Sequence, residues 1–389
     1  MSTAATGGER VAQLHKARGI TQAALPRRAR ISMSLLSKIE IGDRALTPGI
    51  AVVIAHALQV PLGALHGEID VTADQSAQLE NLRTAVRRDD LPDQVPVPDP
   101  AQLTAEVGQA VTLGEQADLA GLLRTLPGLV TRATTYVHAM ASPQGWALLS
   151  EVYSIVYYLA ARNRWMDLVE LTPIRHAWAA EQRSQPLLSA AASGRRAAAF
   201  FIGGDYAGGL SVVDRAITTA ETALSGAEKA FATGDLHVSG MLLAGRLGER
   251  TEAQRHIDAA WTAAEEFPHE LRLHGQLFGP ALTAVNVLFT QADLGQPREV
   301  IRLAEELTST DTGLPPTAIV DVHTKHRPRR PRSRRSGRRE TSLVQAFHIA
   351  PQKAKGHPES REVLRVLISL HRRSNPQLVR LTKQAALTI

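Results

Sequence analysis

The sequence predicts an all-α chain in two parts, a small N-terminal unit of short helices and a long α-solenoid. Three observations carry this prediction. Residues 9–67 fall into short segments with apolar residues on one face, each bounded by capping or turn residues. From residue 101 to about 310, nearly everything has helical period, alanine and leucine dominate, and the β-branched alternation that marks strands is absent. Across that second stretch a small-residue turn recurs about every 43 residues.

The N-terminal elements follow in order. Glu9–Arg18 forms a first helix with Val11 and Leu14 inward. Thr21 caps a second, Gln22–Ala29, which turns Leu25 and Ala29 inward. Arg30-Ile31 is the turn. Ser32 caps a third helix that runs to Glu40, with Gly42 as its stop. Thr47-Pro48 places a cap and then proline at the first helical position, opening Gly49–Leu58. Val60-Pro61 opens a last short helix through Leu65.

The third helix carries the chemistry. Leu35, Leu36 and Ile39 share one face, while Met33, Ser34, Ser37 and Lys38 share the other. An outer face that is small, polar and basic suits a helix entering the DNA major groove, where hydroxyls and an ammonium reach base edges and phosphates. The N–H groups at the starts of the second and third helices favour phosphate. Residues 1–67 hold eight Lys/Arg against Glu9, Glu40 and Asp43, a surplus of +5 that suits a polyanionic partner.

These residues support a resemblance. The run Gly8-Glu-Arg-Val-Ala-Gln-Leu-His-Lys-Ala-Arg-Gly-Ile-Thr-Gln-Ala-Ala-Leu25, then Ile31-Ser-Met-Ser-Leu-Leu-Ser-Lys-Ile-Glu-Ile-Gly42, then Leu46-Thr-Pro48 and Ala57-Leu-Gln-Val-Pro-Leu62, resembles the XRE family of phage-repressor-like helix-turn-helix regulators. The resemblance implies a five-helix lambda-repressor-like DNA-binding domain over residues 1–70 and double-stranded DNA as partner. It places Gln22 at a phosphate contact that also braces the recognition helix. Met33, Ser34 and Lys38 fall at base-reading positions, and Ser32 and Ser37 at backbone or cap contacts. Arg27 and Arg28 either add positive charge nearby or form a solvated face. Three positions depart from the pattern. Pro26 stands inside the second helix and removes one hydrogen bond. Arg30 replaces a small residue, often glycine, at a cost on the order of 1 kcal/mol if the turn is left-handed. Ile41 replaces a usually polar residue.

Residues 71–88 read as one more helix, with Leu79, Leu82 and Val86 at helical spacing. Pro92, Pro96, Pro98 and Pro100 then mark a semi-rigid linker, so residues 71–100 are expected to be a helix plus proline-rich linker, with the domain boundary there. Residues 101–389 are assigned to the helical repeats. The turns fall at residues 163, 204, 248, 295 and 337, each between helix-length apolar stretches. One such hairpin cannot bury both apolar faces, and stacking does, which yields a solenoid. The stretch Ala197–Leu210 resembles a tetratricopeptide-repeat junction, although the period exceeds that repeat's ~34 residues. The alternative is a non-repeating helical bundle. A helix-turn-helix unit joined to such repeats is similar to a class of actinobacterial regulators.

One segment departs from the pattern. His323–Arg339 holds nine Lys/Arg and no acid, and without it the chain has 35 Lys/Arg against 38 Asp/Glu. Pro328 and Pro331 oppose a helix there. A disordered insertion, a polyanion-binding patch and an out-of-frame stretch all account for it.

The other function classes are poorly served. No cysteine means no disulfide scaffold, thiolate metal site or cysteine nucleophile. Neither a transmembrane-length apolar run nor a signal peptide is expected. His269-Glu-Leu-Arg-Leu-His274 places its histidines five apart, about 140° around a helix, so they cannot share a metal if the segment is helical. No metal, cofactor or enzymatic activity is expected. Tyr153, Tyr157, Tyr158, Trp165 and Trp178 either line a ligand pocket or pack the solenoid core. The reading is a cytoplasmic, DNA-binding transcriptional regulator, expected to be a homodimer. Its solenoid would dimerise or take a peptide, small molecule or protein in its groove. The alternative is an interaction scaffold with a degenerate helix-turn-helix.

Overall fold

The computed structural model describes residues 7–309, except 45, 47, 59, 61–64, 66–72, 94, 117 and 183–184, together with residues 314 and 318. The Arg-rich segment and the turn expected at 337 lie outside the described residues. The described residues contain fifteen helices and one two-stranded hairpin, so the all-α prediction holds for them. They fall into two compact units, divided at residue 70/71. Among them no helix is long and apolar enough to cross a membrane.

The N-terminal unit comprises α1 (Gly7–Ala17), α2 (Ala24–Ala29), α3 (Met33–Glu40) and α4 (Pro48–Leu58). Of the expected fifth helix beyond Pro61, only Leu65 is described, helical and buried. Val11, Leu25, Leu36, Ile39, Ile54 and Leu58 meet in one apolar core. Each such side chain contributes about 1.5–3 kcal/mol on burial.

The second unit opens with α5 (Ala73–Arg87), α6 (Pro100–Glu115) and α7 (Leu119–Met140). The proline-rich stretch between α5 and α6 was expected to be a linker, but it belongs to this unit and is pinned by two residues of α7 and by Arg175. His138 Nε2 donates to the Asp89 carbonyl at 2.8 Å, Arg175 Nη1 to Asp89 Oδ2 at 2.6 Å, and Thr135 Oγ1 to the Asp93 carbonyl at 3.4 Å. Proline denies this stretch secondary structure but leaves its carbonyls free to accept. Helix α5 is likewise held, with Arg83 reaching Asp167 Oδ2 at 2.7 Å.

Four helix hairpins follow: α8 (Pro143–Asn163) with α9 (Met166–Glu181), α10 (Pro186–Gly203) with α11 (Tyr206–Ala223), α12 (Gly226–Leu247) with α13 (Arg250–Ala264), and α14 (Pro280–Asp293) with α15 (Pro297–Ser309). Each closes on a single left-handed residue, Arg164, Gly204, Gly248 or Gly295, which lets the chain reverse within two or three residues. The first helices α8, α10, α12 and α14 pack each on the next, and each second helix packs on its own partner and on the following first helix. This is the layered order of an α-solenoid. Tyr153 and Trp165 lie in its core.

Between α13 and α14 stands an element that periodicity did not predict. Strands β1 (Leu271–Leu273) and β2 (Gln276–Phe278) pair antiparallel, Leu271 with Phe278 and Leu273 with Gln276. His274 and Gly275 form the two-residue turn, with φ of 47° and 73°. His269 and His274 are therefore on a bend and a hairpin turn, not on a helix. The hairpin base is anchored by Phe278, fully buried and edge-to-face with Phe231 and Phe267 at 5.9 and 5.8 Å. Gly234 on α12 makes room for it, since a methyl group there would stand 2.1 Å from the Phe278 ring. Gly234→Ala is expected to cost roughly 1–3 kcal/mol through overpacking, read as a lower urea midpoint for the tryptophan-containing unit. An unchanged midpoint would contradict this packing.

Candidate nucleic-acid interface

Helix α3 is set by local chemistry at both ends. Ser32 caps it, its Oγ accepting from the Leu35 N–H at 3.1 Å. Gly42, with φ of 83°, turns the chain away beyond it. On the inner face Leu36 and Ile39 are buried. Met33, Ser34 and Lys38 are exposed and Ser37 is half-buried, so these four share an outer arc of about 140°. Met33 is 53 % exposed and Ile41, just past the helix, 66 %. Apolar side chains so far from the core await a partner surface or stand in water.

The rest of the unit braces this helix. Gln22 Nε2 donates to Glu40 Oε2 at 2.7 Å. The other oxygen of Glu40 faces His15 Nε2 on α1 at 3.1 Å, and His15 Nδ1 donates to the Ile20 carbonyl at 2.8 Å. This carboxylate at the end of α3 thus ties in the segment leading into α2 through Gln22, and ties in α1 when both His15 ring nitrogens carry protons. Gln22 thus meets the end of α3, whereas His15 and Glu40 were not singled out from sequence. Arg18 Nη1 donates to the Leu58 carbonyl at 2.6 Å, closing α1 onto the end of α4. Helix α1 crosses α3 at Gly8, where a methyl group would stand 2.0 Å from the Ile39 carbonyl oxygen. A larger residue there displaces one helix from the other.

The departures from the family pattern have visible consequences. Thr21 Oγ1 accepts from the Ala24 N–H at 3.1 Å, so the cap forms as expected. Regular helix nevertheless starts only at Ala24, because Pro26 has no N–H to close the first turn onto Gln22. Arg30 occupies the left-handed region with φ of 51° and ψ of 42°, and the Ile31 N–H closes back onto the Pro26 carbonyl at 3.0 Å. The helix stop that glycine usually makes is made here by arginine. Arg27 and Arg28 are exposed at the end of α2, and Arg27 Nε donates to the Ala23 carbonyl at 3.3 Å.

Residues 8–69 match the family model described as a helix-turn-helix domain. The N-terminal unit is a helix-turn-helix domain. Among solved structures the chain is similar to Bacillus thuringiensis PlcR in complex with the peptide PapR7 and DNA, at 14 % identity over 67 % of this chain and 94 % of that one, with a TM-score of 0.25. No curated protein matches the sequence.

Metal-capable side chains converge once among the described residues, at Asp214, Glu252 and His256. The Arg255 guanidinium stands among them, its Nη2 3.1 Å from Asp214 Oδ1, 2.5 Å from Glu252 Oε1 and 3.1 Å from His256 Nε2. A cation is already supplied there by the chain. His256 also meets His237 across a 2.8 Å Nδ1–Nδ1 hydrogen bond, and burial pushes His237 down to about 4.

Replacing Arg30 with glycine removes the penalty of a left-handed arginine, about 1 kcal/mol. The domain has no aromatic residue to report its unfolding, so amide exchange is the measure. Arg30→Gly is expected to slow exchange in α2 and α3 about fivefold, and faster exchange would show that the turn is not strained.

Proposed function

We propose that the chain is a sequence-specific, DNA-binding transcriptional regulator of the XRE type. The observation that carries this reading is the outer face of α3, small, polar and basic, held out from the core by the Glu40 brace. Met33, Ser34 and Lys38 meet base edges. Ser34 offers a hydroxyl and Lys38 an ammonium, and the Met33 side chain packs against a thymine methyl. Ser32 and Ser37 contact the DNA backbone at the start and flank of the helix. Gln22 contacts phosphate with whatever hydrogen-bonding capacity Glu40 leaves it.

The helical unit serves the DNA-binding domain as a dimerisation and sensing module. A solenoid of stacked hairpins presents an extended surface for a peptide, small molecule or protein. The protein acts as a homodimer on a two-fold operator in the cytoplasm and catalyses no reaction.

Binding of the full chain to operator fragments across a salt series tests this reading. Neutralising 6–10 phosphates per dimer corresponds to a log–log slope of roughly −5 to −9. Lys38→Ala and Ser34→Ala are each expected to weaken the preferred sequence by about 1–3 kcal/mol. Salt-sensitive binding with no sequence preference would instead assign the affinity to unspecific charge. No binding at all would favour the scaffold reading, with Pro26 and Arg30 as the first positions to revert.

A further inference from the structure

The helical unit encloses a cation that the proposed function does not use. Arg195 on α10 is only 8 % exposed, a costly place for a guanidinium without a paired carboxylate. Its hydrogen-bond partners are neutral. Nε donates to Ser154 Oγ at 3.0 Å, Nη2 to the Tyr158 hydroxyl at 2.6 Å, and Nη2 also to Gln276 Oε1. The guanidinium lies over the Tyr158 ring at 4.1 Å. Among the described residues no carboxylate makes an ion pair with it.

Its surroundings are rich in donors. Tyr157, buried beside it, has a hydroxyl without a hydrogen-bond partner, and burial raises its pKa so that the proton stays. His176 on α9 is buried with both ring nitrogens unpartnered, and burial together with Arg195 and His274 pushes it down to about 3, so the ring is neutral and keeps one N–H. One buried acid feels the Arg195 charge: burial pushes Asp235 on α12 up to about 6 while Arg195 holds it down, and no direct ion pair forms between the two.

Among the described residues, only the hairpin tip supplies an oxygen to Arg195 from outside the helices. Gln276 is 2 % exposed, and its Nε2 has no partner, so the amide uses its oxygen and wastes its nitrogen. That is the signature of a site whose chemistry asks for a second acceptor oxygen. The tip is also the weakly held end of the element, since two three-residue strands are marginal alone and the aromatic anchor lies at the base, at Phe278. Arg272 pairs with Glu115, fastening β1 from the side.

We propose that Arg195 anchors a carboxylate-binding site in the helical unit, and that Gln276 at the hairpin tip occupies this site in place of the ligand. A ligand carboxylate replaces the amide oxygen with two charged acceptors, satisfies the guanidinium and draws on the Tyr157 and His176 donors, while the tip swings out. This deepens the sensing role proposed above and rests on it for its biological consequence.

Melting of the full chain without DNA tests the site. Gln276→Glu places a carboxylate on Arg195 without a change of shape, and is expected to raise the melting temperature by about 3 °C at neutral pH. An unchanged or lower value overturns the proposal. Gln276→Ala vacates the site while keeping the Phe278 anchor. Benzoate is expected to stabilise this variant and to bind it about tenfold more tightly than it binds wild type, whereas the neutral isostere benzamide is expected to do neither. Equal responses to the two probes, or no response, overturn it as well. Failure of the wild-type chain to bind operator DNA would sink the regulator reading and leave these melting shifts untouched, so the two failures are distinguishable.

Discussion

Helices in this chain approach one another where a side chain has been reduced to a hydrogen atom, and both units depend on that constraint. Gly8 admits the Ile39 carbonyl, Gly145 the Tyr136 ring, Gly209 the Leu243 side chain and Gly240 the His256 ring, each at a distance that a methyl group would not tolerate. In the N-terminal domain the consequence is direct. Helix α1 lies close enough to α3 for His15 to reach Glu40. Without that approach the carboxylate loses the ion pair that a protonated His15 gives it, and the outer face of α3 loses one of its supports.

The Glu40 brace explains why a domain with several weaknesses still presents a defined helix. Pro26 shortens α2 and Arg30 bends the chain in a conformation that suits glycine. Both faults lie between Gln22 and Glu40, the two ends of the brace. This surface hydrogen bond contributes about 1 kcal/mol, comparable to the cost of the left-handed arginine.

The helical character of both units was legible because the apolar period, caps and turns agreed locally. Ser32, Gly42, Gly204 and Gly248 each sit where the side-chain chemistry places them. The hairpin at 271–278 was missed because it is short and surrounded by helix, yet Leu-Arg-Leu, His-Gly, Gln-Leu-Phe is a period-two pattern around a two-residue turn. Prolines 92, 96 and 98 signalled irregular backbone correctly, whereas Pro100 opens α6. They could not signal that His138 and Arg175, some fifty and eighty residues further on, would capture it. The outer residues of α3 were legible from one helical turn's arithmetic, whereas His15 is half of a brace only because Gly8 lets α1 come near. The buried Arg195 cluster draws on four separate elements, and no local pattern joins them.

The central claim is that α3 faces DNA, and the cysteine-free chain offers a direct measurement. Ser34→Cys introduces a single thiol on the outer face, and Glu265→Cys, exposed in the helical unit, serves as the reference. Alkylation by a maleimide would be timed for the full chain with and without an operator fragment. The account predicts strong protection at position 34 and none at 265. Equal reactivity at position 34 with the operator bound would contradict it.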